Sequence, residues 1–192
     1  MRELIVLLLV AVASSYGQAW KEHQARGEQL FRSAQVKESV KAFDKAIELE
    51  PRLAPYNWQR GISLYYAGQV AECEKQFALH ATVNPNDVEN SVFWYLCGKR
   101  PYPPVKGDDR VPMAQVNALY AGNGKVEDVL KAAPGGGADG QFYAHLYIGL
   151  WYAANGDCKK GMDFMRKAAG EHARDHYMGD VARVHVKTVK CR

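Results

Sequence analysis

The sequence predicts an all-α protein built from stacked pairs of antiparallel helices, and a repeat of 34 residues is the main reason. Three pairs of identical residues share this offset: Gly27 and Gly61, Phe43 and Phe77, and Pro51 and Pro85. Identical residues at one period of this length indicate a repeat protein, in which helix pairs bury their apolar faces against their neighbours. In the first copy, Val36, Val40 and Phe43 recur at spacings of three or four residues, as on one helix face. We therefore expect helix pairs over residues 18–49 and 56–83.

Proline, glycine and the repeat divide the chain into four segments. They are a signal peptide over residues 1–17, two clear repeats and a degenerate third over 18–100, a Pro- and Gly-rich insertion with two short helices over 101–140, and a distal repeat with a C-terminal capping helix over 141–192. Prolines between Lys99 and Pro112 predict an extended excursion there. The run from Pro134 to Gly137 is interpreted as a flexible break, since no Gly-Lys-Ser/Thr follows it as a phosphate-binding loop requires.

The first 17 residues have the features of a secretory signal peptide. Arg2 precedes an apolar run from Leu4 to Ala13, and Ser15 and Gly17 are small residues ahead of an expected cleavage point. This run is too short to cross a bilayer comfortably, which takes about 20 residues. The alternative is a short membrane anchor that stays in place. We expect entry into the secretory pathway and a mature protein without a membrane span, either secreted or held in a periplasm or lumen.

Charge gives no sign of a nucleic-acid partner. The net charge is +4, but the basic residues are scattered among acidic ones, which is typical of a solvated surface. Hydrophobic residues make up 47% of the chain, enough for an ordinary folded core.

The repeat resembles the tetratricopeptide repeat (TPR), whose 34-residue unit has a small residue in its first (A) helix, an aromatic in its second (B) helix and a closing proline. The segment QRGISLYYAGQ, followed by NPND and FWYLC, is similar to the central region of the NlpI family of bacterial periplasmic lipoproteins, and YIGLWYAANGD is similar to that family's distal repeat. This resemblance covers most of residues 55–170. It implies a TPR-like right-handed α-solenoid and a non-catalytic adaptor that docks envelope proteases and wall hydrolases. The chain departs from that family in lacking a lipid-attachment cysteine near the cleavage point.

The four cysteines predict two disulfide bonds. An even number of cysteines in an exported chain favours disulfides, and four cysteines allow three pairings. Cys73 begins a B helix and Cys97 ends the following A helix, so both lie at the same end of adjacent units. Cys158 and Cys191 repeat this layout, and we expect the pairs Cys73–Cys97 and Cys158–Cys191. A metal site is the alternative, but no Cys-x-x-Cys spacing supports it.

A partner-binding groove is predicted on the A helices. TPR stacks expose these helices on their concave side, which suits an extended peptide or a partner helix. The predicted groove residues are Lys21, Glu28, Trp58, Ile62 and Tyr65. Core packing is the alternative role for the aromatic ones. The sequence thus favours an adaptor that binds a protein or peptide and uses no cofactor.

Two other functions compete with this prediction. His172, Asp175 and His176 form H-x-x-D-H, which is superficially like a zinc-hydrolase helix. Zinc hydrolysis also needs a third ligand and a catalytic carboxylate, and the repeat places these histidines in an exposed turn between helices. We therefore expect no catalytic or metal-binding residues. The second competitor is a structural protein that associates with itself through its aromatic face.

Overall fold

A computed structural model describes residues 18–191, and this range contains helices, turns and irregular segments but no strand. The α-helices are α1 over residues 18–32, α2 Val36–Leu49, α3 Trp58–Tyr66, α4 Val70–His80, α5 Val88–Leu96, α6 Met113–Tyr120, α7 Val126–Ala132, α8 Gly137–Ala154, α9 Cys158–Ala169 and α10 Tyr177–Thr188. Two 3-10 helices, Pro51–Tyr56 and Ala133–Gly136, precede α3 and α8. The all-α prediction is confirmed for this range. The signal-peptide prediction for residues 1–17 lies outside the described residues.

Three helical hairpins share one mode of packing. They are α1–α2, α3–α4 and α8–α9, each joined by a three-residue turn. A glycine in the first helix lies against a large side chain 16 residues later, and a Cβ added to it would come within 2.7 Å of the Phe43 ring at Gly27, 2.7 Å of the Phe77 ring at Gly61, and 2.8 Å of Met165 at Gly149. Glycine is required at these positions because the second helix approaches so closely.

A second contact also recurs, 12 residues after each glycine. Ser39 Oγ donates a hydrogen bond to the carbonyl oxygen of Gly27 at 2.8 Å. Cys73 Sγ lies 3.3 Å from the carbonyl oxygen of Gly61, a contact rather than a hydrogen bond because a disulfide sulfur carries no proton. In the third hairpin Gly161 has the equivalent place and packs on the backbone of Gly149. The hairpins therefore correspond residue by residue.

The proline-rich excursion between α5 and α6 is fixed by one side chain of α6. The amide of Asn117 donates to the carbonyl oxygen of Val105 at 2.9 Å and accepts from its N–H at 3.3 Å. The Tyr102 hydroxyl donates to the same amide oxygen at 2.9 Å. These bonds satisfy backbone groups that have no helical partner in an extended segment.

The expected flexible break at Pro134–Gly137 is wrong. The segment forms a 3-10 helix over Ala133–Gly136, and α8 begins at Gly137, four residues before the distal repeat was expected to start. The glycines are packing positions, since a Cβ at Gly136 would lie 2.7 Å from the carbonyl oxygen of Val111, and one at Gly140 would overlap that of Ala133. Close backbone approach, rather than chain flexibility, explains this glycine run.

Helix α10 packs on α9 and also reaches the first two hairpins. The ring of Tyr177 stacks on that of Phe31 with centroids 5.1 Å apart. Asp180 pairs with Arg32 at 2.9 Å, and His185 Nδ1 is hydrogen-bonded to the Tyr66 hydroxyl at 3.0 Å. The expected capping helix therefore lies across the helices of the first two hairpins instead of only extending the end of the stack.

The two cysteine pairs form as predicted. The Cα atoms of Cys73 and Cys97 are 5.6 Å apart, and those of Cys158 and Cys191 are 5.5 Å apart. The first bond ties α4 to the end of α5, and the second ties the start of α9 to the segment after α10.

Within residues 18–191, no helix combines the length and the apolar character that crossing a membrane would require.

Candidate partner-binding site

A cavity of about 170 Å³ lies between α3, α4, α5 and the start of α10. It is partly open to solvent, and apolar and polar side chains both line it: Trp58, Ile62, Phe77, His80, Asn84, Asp87, Glu89, Asn90, Phe93 and Met178. Pockets for drug-sized ligands typically measure about 300–1,000 Å³. This cavity therefore suits one inserted side chain better than a whole small-molecule cofactor.

The polar wall of the cavity is the first turn of α5, and its position follows from helix capping. The Asp87 carboxylate accepts a hydrogen bond from the N–H of Glu89 at 2.9 Å and one from the Asn84 amide at 2.9 Å. Asp108, from the excursion, accepts from the N–H of Val88 at 3.2 Å. Carboxylates are favoured at a helix N-terminus, where unpaired N–H groups and the helix dipole attract negative charge.

One guanidinium serves three carboxylates at this turn. Arg110 lies 2.9 Å from Asp87, 2.7 Å from Asp108 and 3.3 Å from Glu89. With all three acids ionised, these four side chains carry a net charge of −2. The cavity wall therefore presents an excess of negative charge that no side chain of the cluster neutralises.

Glu89 is the carboxylate affected most by its surroundings. Its side chain is 17% exposed, and burial raises its pKa to about 7, while the nearby Arg110 charge acts in the opposite direction. Burial dominates because a carboxylate in an apolar setting loses its hydration. Glu89 is therefore largely ionised only above about pH 7.

Two adjacent acceptor oxygens have no hydrogen-bond donor within residues 18–191. They are Oε1 of Glu89, which lies near Arg110 but outside hydrogen-bonding geometry, and Oδ1 of Asn90. Asn90 is 4% exposed and lines the cavity. Buried polar atoms are nearly always paired in folded proteins, so these oxygens indicate that a donor group can be accommodated here.

The structure brings together only some of the predicted groove residues. Trp58 and Ile62 line the cavity, although Ile62 is 1% exposed. Tyr65 packs edge-on against Phe93, and burial raises its pKa to about 12, so it takes the core-packing role. Helix α10 covers part of this face through Tyr177, whose ring centroid is 5.1 Å from that of Trp58. The groove expected to be open is thus reduced to the cavity.

The two predicted residues on α1 lie away from the cavity lining. Lys21 is exposed, with its ammonium 5.6 Å from the ring centroid of Trp20. Glu28 is half-buried and lies 3.6 Å from Arg32. Neither side chain joins Trp58 and Ile62 in one site.

Sequence reasoning missed the polar half of the site. The Asn86-Asp87 pair signals a helix cap, but nothing in the sequence shows that Glu89 and Asn90 would face Trp58. Arg110 follows Asp87 by 23 residues within the proline-rich excursion, where no periodic pattern predicts contacts. The one available signal was the cluster of acids at a predicted helix start.

The histidines considered for zinc binding have different neighbours. The His172 ring lies 4.3 Å from that of His145, whereas His176 packs against Phe142 and accepts from the N–H of Gly179 at 3.4 Å. Burial lowers the pKa of His145 and of His176. Across residues 18–191, no group of three or more His, Cys, Asp or Glu side chains is arranged to hold a metal ion.

No protein-family model matches this chain, and no curated protein matches it in sequence.

Proposed function

We propose that this chain is a non-catalytic adaptor that binds a protein or peptide partner at the cavity beside Trp58. The observation that carries this proposal is the cavity itself, which remains open beside the helices that the sequence predicted for partner binding. Its size fits an inserted side chain, and its mixture of aromatic and polar walls is common where one residue of a partner anchors an interface.

A TPR-like α-solenoid is the arrangement we propose for the three hairpins. The recurring glycine contacts at Gly27, Gly61 and Gly149 support it, since equivalent residues make equivalent contacts in each copy. The predicted repeat period of 34 residues supports the same arrangement for the first two hairpins. Stacked repeats of this kind usually serve as binding surfaces.

An oxidising compartment is the proposed location. The pairs Cys73–Cys97 and Cys158–Cys191 account for all four cysteines of the sequence, and disulfides persist mainly in exported proteins. Peptide mapping of the non-reduced protein by mass spectrometry tests this proposal. We expect both disulfide-linked peptides and a first residue near Gln18, whereas free thiols with an intact Met1 would contradict export.

Selection of peptides from a random display library tests the binding function. We expect the disulfide-bonded protein to enrich related peptides, and Trp58→Ala to weaken their binding at least tenfold because it removes the aromatic wall of the cavity. Tyr56→Ala is the control, since Tyr56 is a neighbouring aromatic that is 61% exposed and does not line the cavity.

Binding affinities should be compared only for variants with unchanged helix content. Enriched peptides that bind Trp58→Ala and the original protein equally would place the interaction elsewhere. Failure to enrich any peptide family would count against a peptide-binding adaptor.

A further inference from the structure

We infer that the cavity beside Trp58 accepts the cationic side chain of an arginine or a lysine from the partner. This inference rests on the proposed function and specifies the chemistry of the residue that anchors the partner. It follows from three features of the cavity: an excess of carboxylates, unpaired acceptor oxygens and an aromatic wall.

The charge of the cavity favours a cation. Asp87 and Asp108 hold Arg110 between them at 2.9 and 2.7 Å, and Glu89 is the third carboxylate beside the same guanidinium. The other lining residues include no lysine or arginine. A second cation entering from a partner would therefore meet a net attraction that a neutral or anionic side chain would not.

The acidic groups alone would not define a site, because Asp87 and Asp108 already cap α5. The independent observation is Asn90, whose side chain is buried and whose Oδ1 has no donor in the described part of the chain. It lies next to Glu89, whose Oε1 is also without a donor there. An ammonium has three N–H donors and a guanidinium has five, so either group can satisfy both oxygens.

The aromatic wall suits the same group. Trp58 lines the cavity opposite the first turn of α5, together with Phe93 and Met178. Tryptophan is the aromatic side chain that attracts cations most strongly, and the methylene stem of a lysine or arginine packs well on apolar surface. The stem can contact Met178 and Phe93 while the charged end reaches Glu89.

The charged and titratable groups around Glu89 come from several elements. They are Asp87 at the start of α5, Asp108 and Arg110 in the excursion, Tyr143 and Tyr147 of α8, and His80 of α4. Since burial raises the pKa of Glu89 to about 7, binding is best measured at pH 8, where Glu89 is mostly ionised.

A set of matched peptides tests the inference. Blocked tripeptides Gly-X-Gly, with X as arginine, lysine, citrulline or glutamate, are titrated into the disulfide-bonded full chain and followed by NMR. Citrulline has nearly the shape of arginine without its charge. We expect the arginine and lysine peptides to shift the indole N–H of Trp58 and the side-chain amide of Asn90, with affinities at least tenfold higher than those of the citrulline peptide.

Two charge-removing variants sharpen the test. Glu89→Gln keeps the shape of the side chain and removes its charge, and we expect it to weaken binding of the arginine peptide about tenfold. Glu72→Gln is the control, because Glu72 is an exposed residue of α4 that pairs with Lys75 away from the cavity. We expect it to leave the affinity unchanged.

The outcomes separate this inference from the proposed function. If citrulline and arginine peptides bind equally well at the cavity, the cationic specificity is wrong while a side-chain pocket remains. If none of the peptides shifts the Trp58 and Asn90 resonances, water is the donor to the unpaired oxygens, and both the inference and this cavity as the partner site are overturned.

Discussion

At the scale of single residues, glycine sets the distance between the helices of each hairpin. A methyl group at Gly61 would lie 2.7 Å from the ring of Phe77, which is itself 1% exposed and has no free space to move into. We expect Gly61→Ala to lower the free energy of unfolding by about 1–3 kcal/mol, the usual cost of overpacking a core. Urea unfolding followed by circular dichroism measures this.

Gly135→Ala is the matched control for that substitution. The nearest atom to its added Cβ would be 3.8 Å away, in ordinary contact with Val111. We expect a change within about 0.5 kcal/mol, as for surface substitutions in general. Equal losses at Gly61 and Gly135 would show that close packing is not the reason for glycine at position 61.

His185 predicts how stability depends on pH. It is 1% exposed, and burial lowers its pKa to about 4. The unfolded chain, with an ordinary histidine pKa of about 6.5, therefore takes up a proton at a pH where the folded protein does not. Stability from this residue is fully present above about pH 6.5 and falls by up to about 3 kcal/mol as the pH drops to about 4.

The variant His185→Gln isolates this effect, because glutamine does not titrate and still offers a hydrogen-bond acceptor to Tyr66. Glu89, with its raised pKa, acts in the opposite direction over part of the same range, so the difference between variant and original protein is the informative quantity. We expect that difference to change between pH 7 and pH 4 in thermal unfolding. Two parallel profiles would contradict the buried neutral state of His185.

At the scale of helices, the bond between Cys158 and Cys191 holds α10 in place. It closes a segment of 33 residues, for which the loss of a disulfide typically costs about 2–4 kcal/mol. We expect the double variant Cys158→Ser/Cys191→Ser to lose this much stability and to exchange the amide hydrogens of α10 faster than those of α3. Hydrogen exchange measured by mass spectrometry resolves the two helices.

The corresponding double variant of Cys73 and Cys97 is the control. It opens a segment of similar length, with a separation of 24 residues, between α4 and α5. We expect it to lower stability without a selective increase of exchange in α10. Faster exchange of α10 in both variants alike would argue against local tethering by Cys191.

Helix limits were predictable from the sequence where local signals set them. The expected and observed bounds of α2 agree at Val36 and Leu49, because apolar spacing and Pro51 act within the helix or next to it. The start of α8 was missed, since the backbone of Val111 and Ala133 decides the role of Gly136 and Gly140. Likewise, Trp58 and Ile62 were predicted from helix position, whereas the contact of Arg110 with Glu89 depends on how a distant segment folds back.

At the scale of the whole molecule, α10 connects the first hairpin to the last. Repeat proteins ordinarily have contacts only between neighbouring units, and their cooperativity can break down along the array. Here Asp180 of α10 pairs with Arg32 of α1, across 148 residues of chain. We therefore expect a single unfolding transition, with a calorimetric enthalpy close to the van't Hoff enthalpy.

Differential scanning calorimetry measures both enthalpies. Two resolved transitions, or a calorimetric enthalpy well above the van't Hoff value, would show that the hairpins unfold separately despite α10. The expected behaviour is that of a small single domain, with α1 and α10 lost together.

The stacking of Phe31 on Tyr177 also has a consequence for biosynthesis. Tyr177 is added to the growing chain 146 residues after Phe31, which takes roughly 7–30 s at about 5–20 residues per second. Throughout that interval the A helices of the first two hairpins lack the α10 side chains that cover them in the finished fold. A nascent chain of this protein therefore exposes aromatic surface until its last helix has been made, and slower translation lengthens the time during which chaperones must protect it.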